Sequence, residues 1–269
     1  FGKGFDAAVI GATVAIEHHG GDASGLGLGG EGNGEGLGTG DIALRAALLH
    51  LGIEGREEHE GRAGGVVDGL RVERLDGARP LALFDAPRTD YSLKRIQHYT
   101  GAPWSDVQPW ILFTNYQRYV DEFVRWSAEA VKNGPKGWAL SCPGGVRIEA
   151  GDQDAELKAQ ASPWRKYQMP AYHLTTPDND GVTLVNIGVG PSNAKTITDH
   201  LAVLRPHCWL MIGHCGGLRH TQRIGDYVLA HAYLRRDKIL DDRVPLEIPI
   251  PAIAEIQIAL QKAANMVVG

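Results

Sequence analysis

Apolar positions in the second half of the chain gather into short runs, and each run stops at glycine. Residues 138–142 predict a strand ending in Pro143-Gly144-Gly145, and residues 182–187 a second ending in Gly188-Val189-Gly190. Residues 208–212 predict a third, ending in Gly213-His214-Cys215-Gly216-Gly217. Such bounded runs of β-branched and other apolar residues are what strands of a well-covered sheet look like. Between them, residues 192–204 place Ala194, Ile197, Leu201 and Leu204 on one helical face. Residues 227–234 predict a fourth strand, and residues 253–264, after Pro249 and Pro251, a final helix. Strands alternating with helices point to an α/β fold.

The first half reads differently. Residues 92–99 predict a short helix and residues 104–126 a longer one. In the longer one Tyr116, Tyr119, Val120, Phe123 and Val124 form an apolar face flanked by Arg118, Asp121, Glu122 and Arg125. The run Asn133-Gly134-Pro135-Lys136-Gly137 stops it and reads as a domain junction. Further upstream, the stretch 20–40 is so dense in glycine that ordering it would lose much backbone entropy for little buried side chain. Nothing in that stretch closes as a phosphate loop would, with a Lys-Ser/Thr pair. A helix is expected to open after it, at Thr39 or Asp41.

Composition narrows the function classes. With 43% hydrophobic and 22% charged residues, the 269-residue chain is ordinary for a globular protein. A formal net charge of -5 gives no overall field that would attract nucleic acid. The three cysteines, Cys142, Cys208 and Cys215, lack metal-ligand spacing, and their odd number argues against a disulfide framework. No metal or other cofactor is expected, and a reducing, cytoplasmic setting is. No apolar run reaches bilayer length, and the start shows no secretion leader. The missing initiator methionine suggests a fragment or a trimmed chain.

The glycine turns carry the chemical signal. Ligands of open α/β sheets bind at the carboxyl ends of strands, and glycine there lets backbone amides approach a ligand closely. Gly188 and Gly190 followed by Pro191, Ser192 and Asn193 would place such a turn at a helix N-terminus suited to an anion. The bland alternative is that the glycines only make tight turns. A dinucleotide site fits less well, because Asn193 stands where a third glycine would. His214 stands either as a ligand donor or as a histidine satisfied by backbone. Cys215 reads as packing rather than as a nucleophile. Arg88, Lys94, Arg95 and Arg118 are candidate phosphate partners, with surface charge as the alternative; Tyr91, Tyr99 and Tyr116 are candidates to stack on a base.

The runs Tyr91-Ser92-Leu93-Lys94-Arg95 and Thr114-Asn115-Tyr116-Gln117-Arg118-Tyr119-Val120-Asp121 resemble the amino-terminal domain of bacterial AMP nucleosidases. The runs Val185-Asn186-Ile187-Gly188-Val189-Gly190-Pro191-Ser192-Asn193-Ala194 and Ile212-Gly213-His214-Cys215-Gly216-Gly217-Leu218 resemble the same family's catalytic domain. The resemblance implies a nucleoside phosphorylase-like sheet with flanking helices over residues 136–269, incomplete at its C-terminal end. It also implies a smaller N-terminal α+β domain whose last part is residues 81–135, after a glycine-rich region at 1–80. The implied reaction is hydrolysis of AMP to adenine and ribose 5-phosphate. A purine nucleoside phosphorylase and a non-catalytic nucleotide-binding remnant are the alternatives.

Carried over by position, the resemblance makes Gly144 and Gly145 the first-strand phosphate loop. Gly188, Gly190, Ser192 and Asn193 become the second-strand turn. Gly213, His214, Cys215, Gly216 and Gly217 become the turn beside base and ribose; Arg95 and Tyr91 stand beside them as further candidate substrate contacts by residue type alone. Met211 and His214 stand where the phosphorylases place an arginine and a serine, which favours water over phosphate as nucleophile. The family's general acid, an aspartate, is expected beyond Gly269, so the fragment is expected to be inactive or nearly so. A homo-oligomer with ATP and phosphate as regulators is also implied.

Overall fold

The structure is a computed structural model that describes residues 9–11, 88–215, 218–222, 228–234, 238 and 245–268. The glycine-rich stretch, the helix expected at Thr39 or Asp41, and Gly216 and Gly217 lie outside those residues. In chain order the elements are β1 (Val9–Gly11), α1 (Thr89–Thr100), β2 (Trp110–Thr114), α2 (Gln117–Asn133), β3 (Ala139–Cys142), β4 (Val146–Glu149), α3 (Ala155–Gln160) and β5 (Ala171–Thr175). Then follow β6 (Val182–Asn186), α4 (Pro191–Leu201), β7 (Cys208–Ile212), β8 (Ala232–Tyr233), β9 (Ile250–Pro251) and α5 (Ala254–Val268).

Seven strands form one sheet in the order β1-β7-β2-β6-β5-β3-β4, while β8 and β9 pair separately. β1, β7, β2 and β6 run parallel; β5 is antiparallel to β6 and to β3, so β3 again points the way β6 does. The α/β sheet with flanking helices expected from the sequence is the observed architecture.

Both faces of the central strands are buried, and each face has its own core. Leu112, Leu184, Cys208, Leu210 and Ile212 pack towards α2, where Tyr119, Val120, Phe123, Val124, Ala128 and Val131 form the buried face. Ile111, Phe113, Val185 and Trp209 pack on the other side with Leu93 and Ile96 of α1 and Ile197 and Leu201 of α4. Side chains alternate along each strand, so one run supplies both cores.

This double burial explains the main departure from the sequence reading. Residues 110–114, expected inside a helix over 104–126, are strand β2 at the middle of the sheet, and the helix begins only at Gln117. A strand covered on both faces is a continuous apolar run without alternation, which helical periodicity next door can absorb. Because β2 lies between β6 and β7, both sides of the Asn133–Gly137 segment contribute strands to one sheet. Of the fourth strand expected over 227–234, Ala232–Tyr233 is the extended part among the described residues, and it pairs outside the main sheet.

One buried group ties stability to pH. His173 on β5 is fully buried; its Nδ1 lies 2.8 Å from Thr183 Oγ1, which also accepts from the Gln108 amide at 2.8 Å. Nε2 has no partner. Burial pushes the imidazole down to about 4, with Asp106 acting weakly the other way. A freely solvated histidine titrates near 6.5. Between those values the unfolded chain binds a proton that the folded chain refuses, so stability is lost as pH falls from about 6.5 towards 4. Urea unfolding should show the protein losing about 1 kcal/mol between pH 7.5 and 5.5 beyond what a His173→Leu variant loses. Parallel loss in both proteins would refute this assignment.

Candidate functional site

The three central strands end level. Thr114 of β2 is paired with Asn186 of β6 on one side and Ile212 of β7 on the other. The residues that follow therefore leave the sheet side by side: Gly213 from β7, Asn115 from β2, Ile187 and Gly188 from β6. Strands lie about 4.8 Å apart, so the Gly188 and Gly213 turns straddle the β2 tip across about 10 Å.

The β6 turn is shaped by two glycines with positive φ, Gly188 at 63° and Gly190 at 103°, and leads into α4 with Pro191 in its first turn. Val189 between them is 85% exposed, so the turn is open to solvent. Ile187 donates its N–H to the Thr114 carbonyl at 2.8 Å, tying the turn to β2. Among the described residues no side chain caps α4. Its first N–H groups thus retain the unpaired donors and partial positive charge of a helix start. Ser192 is exposed beside them. Asn193, by contrast, is engaged: it donates to the Ile187 carbonyl at 2.9 Å and accepts from Gln168 at 3.2 Å.

The β7 turn meets an aromatic wall. The His214 ring lies 4.2 Å from Tyr116 and 5.3 Å from Tyr119, centroid to centroid. A β-carbon added at Gly213 would stand 3.4 Å from Asn115 Oδ1 and 3.6 Å from the Tyr116 ring, so this turn is fitted against the β2 tip. Asn115 Oδ1 is enclosed and has no hydrogen-bond partner among the described residues. Cys215 is half-buried with a free thiol. Asn115 thus enters the site together with Tyr116, one of the tyrosines the sequence offered to stack on a base. The signal that could have found them is the Thr114-Asn115-Tyr116 break between an apolar run and an amphipathic helix, the same strand-to-helix pattern as at β6.

Other expected site residues are placed elsewhere. Pro143-Gly144-Gly145 closes the β3–β4 hairpin, with Cys142 paired to Val146, rather than leading from a strand into a helix. It shares the edge with the other turns but lies beyond β5. The Gly144 N–H donates to Gly101 O at 2.8 Å, and a side chain there would run into Pro163. Arg95 and Tyr91 stand on α1 against the far end of α4: Tyr91 packs edge-on to His200 at 5.9 Å. His200 is about 13 Å along the helix from Pro191. Arg95 lies over Tyr99 at 4.3 Å and bonds its hydroxyl, and Tyr99 stacks on His200 at 6.1 Å. Burial first, and Arg95 second, lower the His200 pKa. The two are thus members of a cation–aromatic cluster apart from the strand tips. Cys142 and Cys208 are buried, and burial pushes each thiol up to about 12, which keeps them protonated and unreactive.

Strand tips forming an open, amide-lined edge of an α/β sheet define a class of small-ligand site, and residues 150–267 match the family model described as Phosphorylase superfamily. The chain is also similar to AMP nucleosidases. It is 60% identical over 191 residues to AMP nucleosidase of Escherichia coli (strain K12), which covers 71% of this chain and 40% of that protein. AMP nucleosidase of Escherichia coli O157:H7 matches to the same extent. The chain therefore spans about two fifths of the length of the curated relatives it matches. A solved AMP nucleosidase from Bacteroides thetaiotaomicron superposes with a TM-score of 0.46 at 25% identity, covering 66% of this chain and 62% of that one. The resemblance stated from the sequence is borne out.

Proposed function

We propose that the strand-tip edge holds AMP and that, against the inactivity expected from the sequence, the protein hydrolyses its N-glycosidic bond, releasing adenine and ribose 5-phosphate. The observation that carries the reading is the 60% identity to proteins named for that activity. The level ending of β7, β2 and β6 gives it a physical basis. The exposed β6 turn and α4 start suit the 5'-phosphate, with Ser192 as a further donor. Phosphate binding would orient the sugar and supply binding energy remote from the bond that breaks. The purine would then lie towards Asn115, Tyr116 and His214, where aromatic faces are available.

Cleavage moves the C1'–N9 bonding pair onto the purine while positive charge builds on the ribose. Protonation of the purine, at N7 in this reading, improves the leaving group. Water adds to C1' and loses a proton. Met211, where the phosphorylases would carry arginine, packs with the apolar cluster on the α1/α4 side, so it offers no cation to a phosphate nucleophile. Water is therefore the nucleophile in this reading. A homo-oligomer, regulation by ATP and phosphate, and a cytoplasmic setting complete it. Among the described residues no helix is long and apolar enough to cross a membrane.

Incubation with AMP in 18O-labelled water tests the reaction. Adenine release without added phosphate, with one 18O in the ribose 5-phosphate, is expected. Release that requires phosphate and yields a phosphorylated C1' would identify a phosphorylase instead, and no release at all would refute the activity.

A further inference from the structure

The Ile187–Gly188 peptide unit is gripped at both ends by side chains. Its carbonyl accepts from Asn193 Nδ2 at 2.9 Å, and its N–H donates to Asn186 Oδ1 at 3.0 Å. Each asparagine is itself oriented. Gln168 Nε2 donates to Asn193 Oδ1 at 3.2 Å, which turns the Asn193 amide nitrogen towards Ile187. Asn186 Nδ2 faces Gln117 Oε1 at 3.5 Å, and Gln117 Nε2 in turn donates to Asp121 at 2.8 Å. A chain of amides thus runs from α2 through the β6 turn to the segment before β5.

A turn containing glycines at φ of 63° and 103° has no side-chain bulk of its own to hold it in one shape. Rotation of the 187–188 unit would reverse its dipole and re-aim the amides that follow. The clamp removes that freedom. It also occupies the Gly188 N–H, so an anion at this turn must be met by later amides. Among the described residues, Val189 and Gly190 N–H have no acceptor.

We propose that Asn193 and Asn186 are positioning residues: they lock the Ile187–Gly188 peptide unit from both ends and so fix how the β6 turn meets the phosphorylated ribose. The proposal rests on the AMP reading above. It reassigns Asn193 from substrate contact to turn geometry.

Asn193→Leu and Asn186→Leu keep the branched heavy-atom shape of the side chain and remove the hydrogen bonds. For each, KM for AMP should rise about tenfold while kcat stays within about threefold, the signature of lost binding common to ground and transition states. Partial misfolding would do the opposite, lowering apparent kcat at unchanged KM. Without ligand, the Gly188 amide should exchange with solvent at least about tenfold faster in both variants, since it loses its lock. Unchanged KM in a wild-type-like fold overturns the positioning role. If the wild-type protein releases no adenine, the AMP reading fails by itself. Gly188 exchange then judges the clamp alone, and unchanged exchange in the variants overturns it.

Discussion

Replacing Gly190 with alanine should lower kcat/KM for AMP by about 100-fold, the scale of effect expected when a binding turn is displaced by about 1 Å. At this residue φ is 103° and ψ 152°, a region essentially reserved for glycine. The space around it is open: the nearest atom to an added β-carbon is Ser192 Oγ, at 4.0 Å. The effect is therefore backbone strain and not a clash. Strain of about 1–3 kcal/mol is relieved by moving the turn, and the turn leads directly into α4. Steady-state adenine release measures the loss. Wild-type-like turnover would show that substrate does not meet this turn.

Phe123→Ala should be the most damaging change to the fold, by about 3–5 kcal/mol. Phe123 is fully buried on α2 and packs in the cluster with Leu112, Leu184 and Leu210 of the central strands. Truncation leaves a cavity between the helix and the three strands whose tips form the site. The melting temperature should fall by about 10 °C for a chain of this size. KM for AMP measured well below melting should be unchanged, because Phe123 lies beneath the sheet's ends rather than at them. A loss below about 1 kcal/mol would mean that α2 is not held as described.

The sequence made β3, β6, β7, α4 and α5 legible because each is a bounded apolar run or an amphipathic helix set off by a glycine or proline stop. β2 was hidden because both its faces are buried and Trp110–Thr114 abuts a strong helical pattern. β4 is a four-residue strand at the sheet's edge, too short to show a period. β5 carries His173 in the core, a polar residue inside a buried strand whose partner, Thr183, comes from the neighbouring strand. The same gaps shaped the reading of the site. With β2 unseen, the first-strand loop was sought at Gly144 and Gly145, which turn a hairpin. Asn115, at the tip of the strand between the two glycine turns, went unassigned, and Tyr116 was named only as a candidate to stack on a base. Arg95 and Tyr91 were chosen by residue type. Only the packing of α1 on the far end of α4 shows that they share a cluster with His200. Nor could spacing show that Asn193 faces back towards Ile187, since that contact depends on the turn's own dihedral angles.

The most direct measurement is an NMR titration of the 15N-labelled protein with AMP, following backbone amide shifts. The account predicts that the largest changes fall at Val189, Gly190 and Ser192, with Gly213, His214 and Asn115 moving at the same concentrations. Changes confined to the Tyr91, Arg95 and His200 cluster, or to the β3–β4 hairpin, would contradict it.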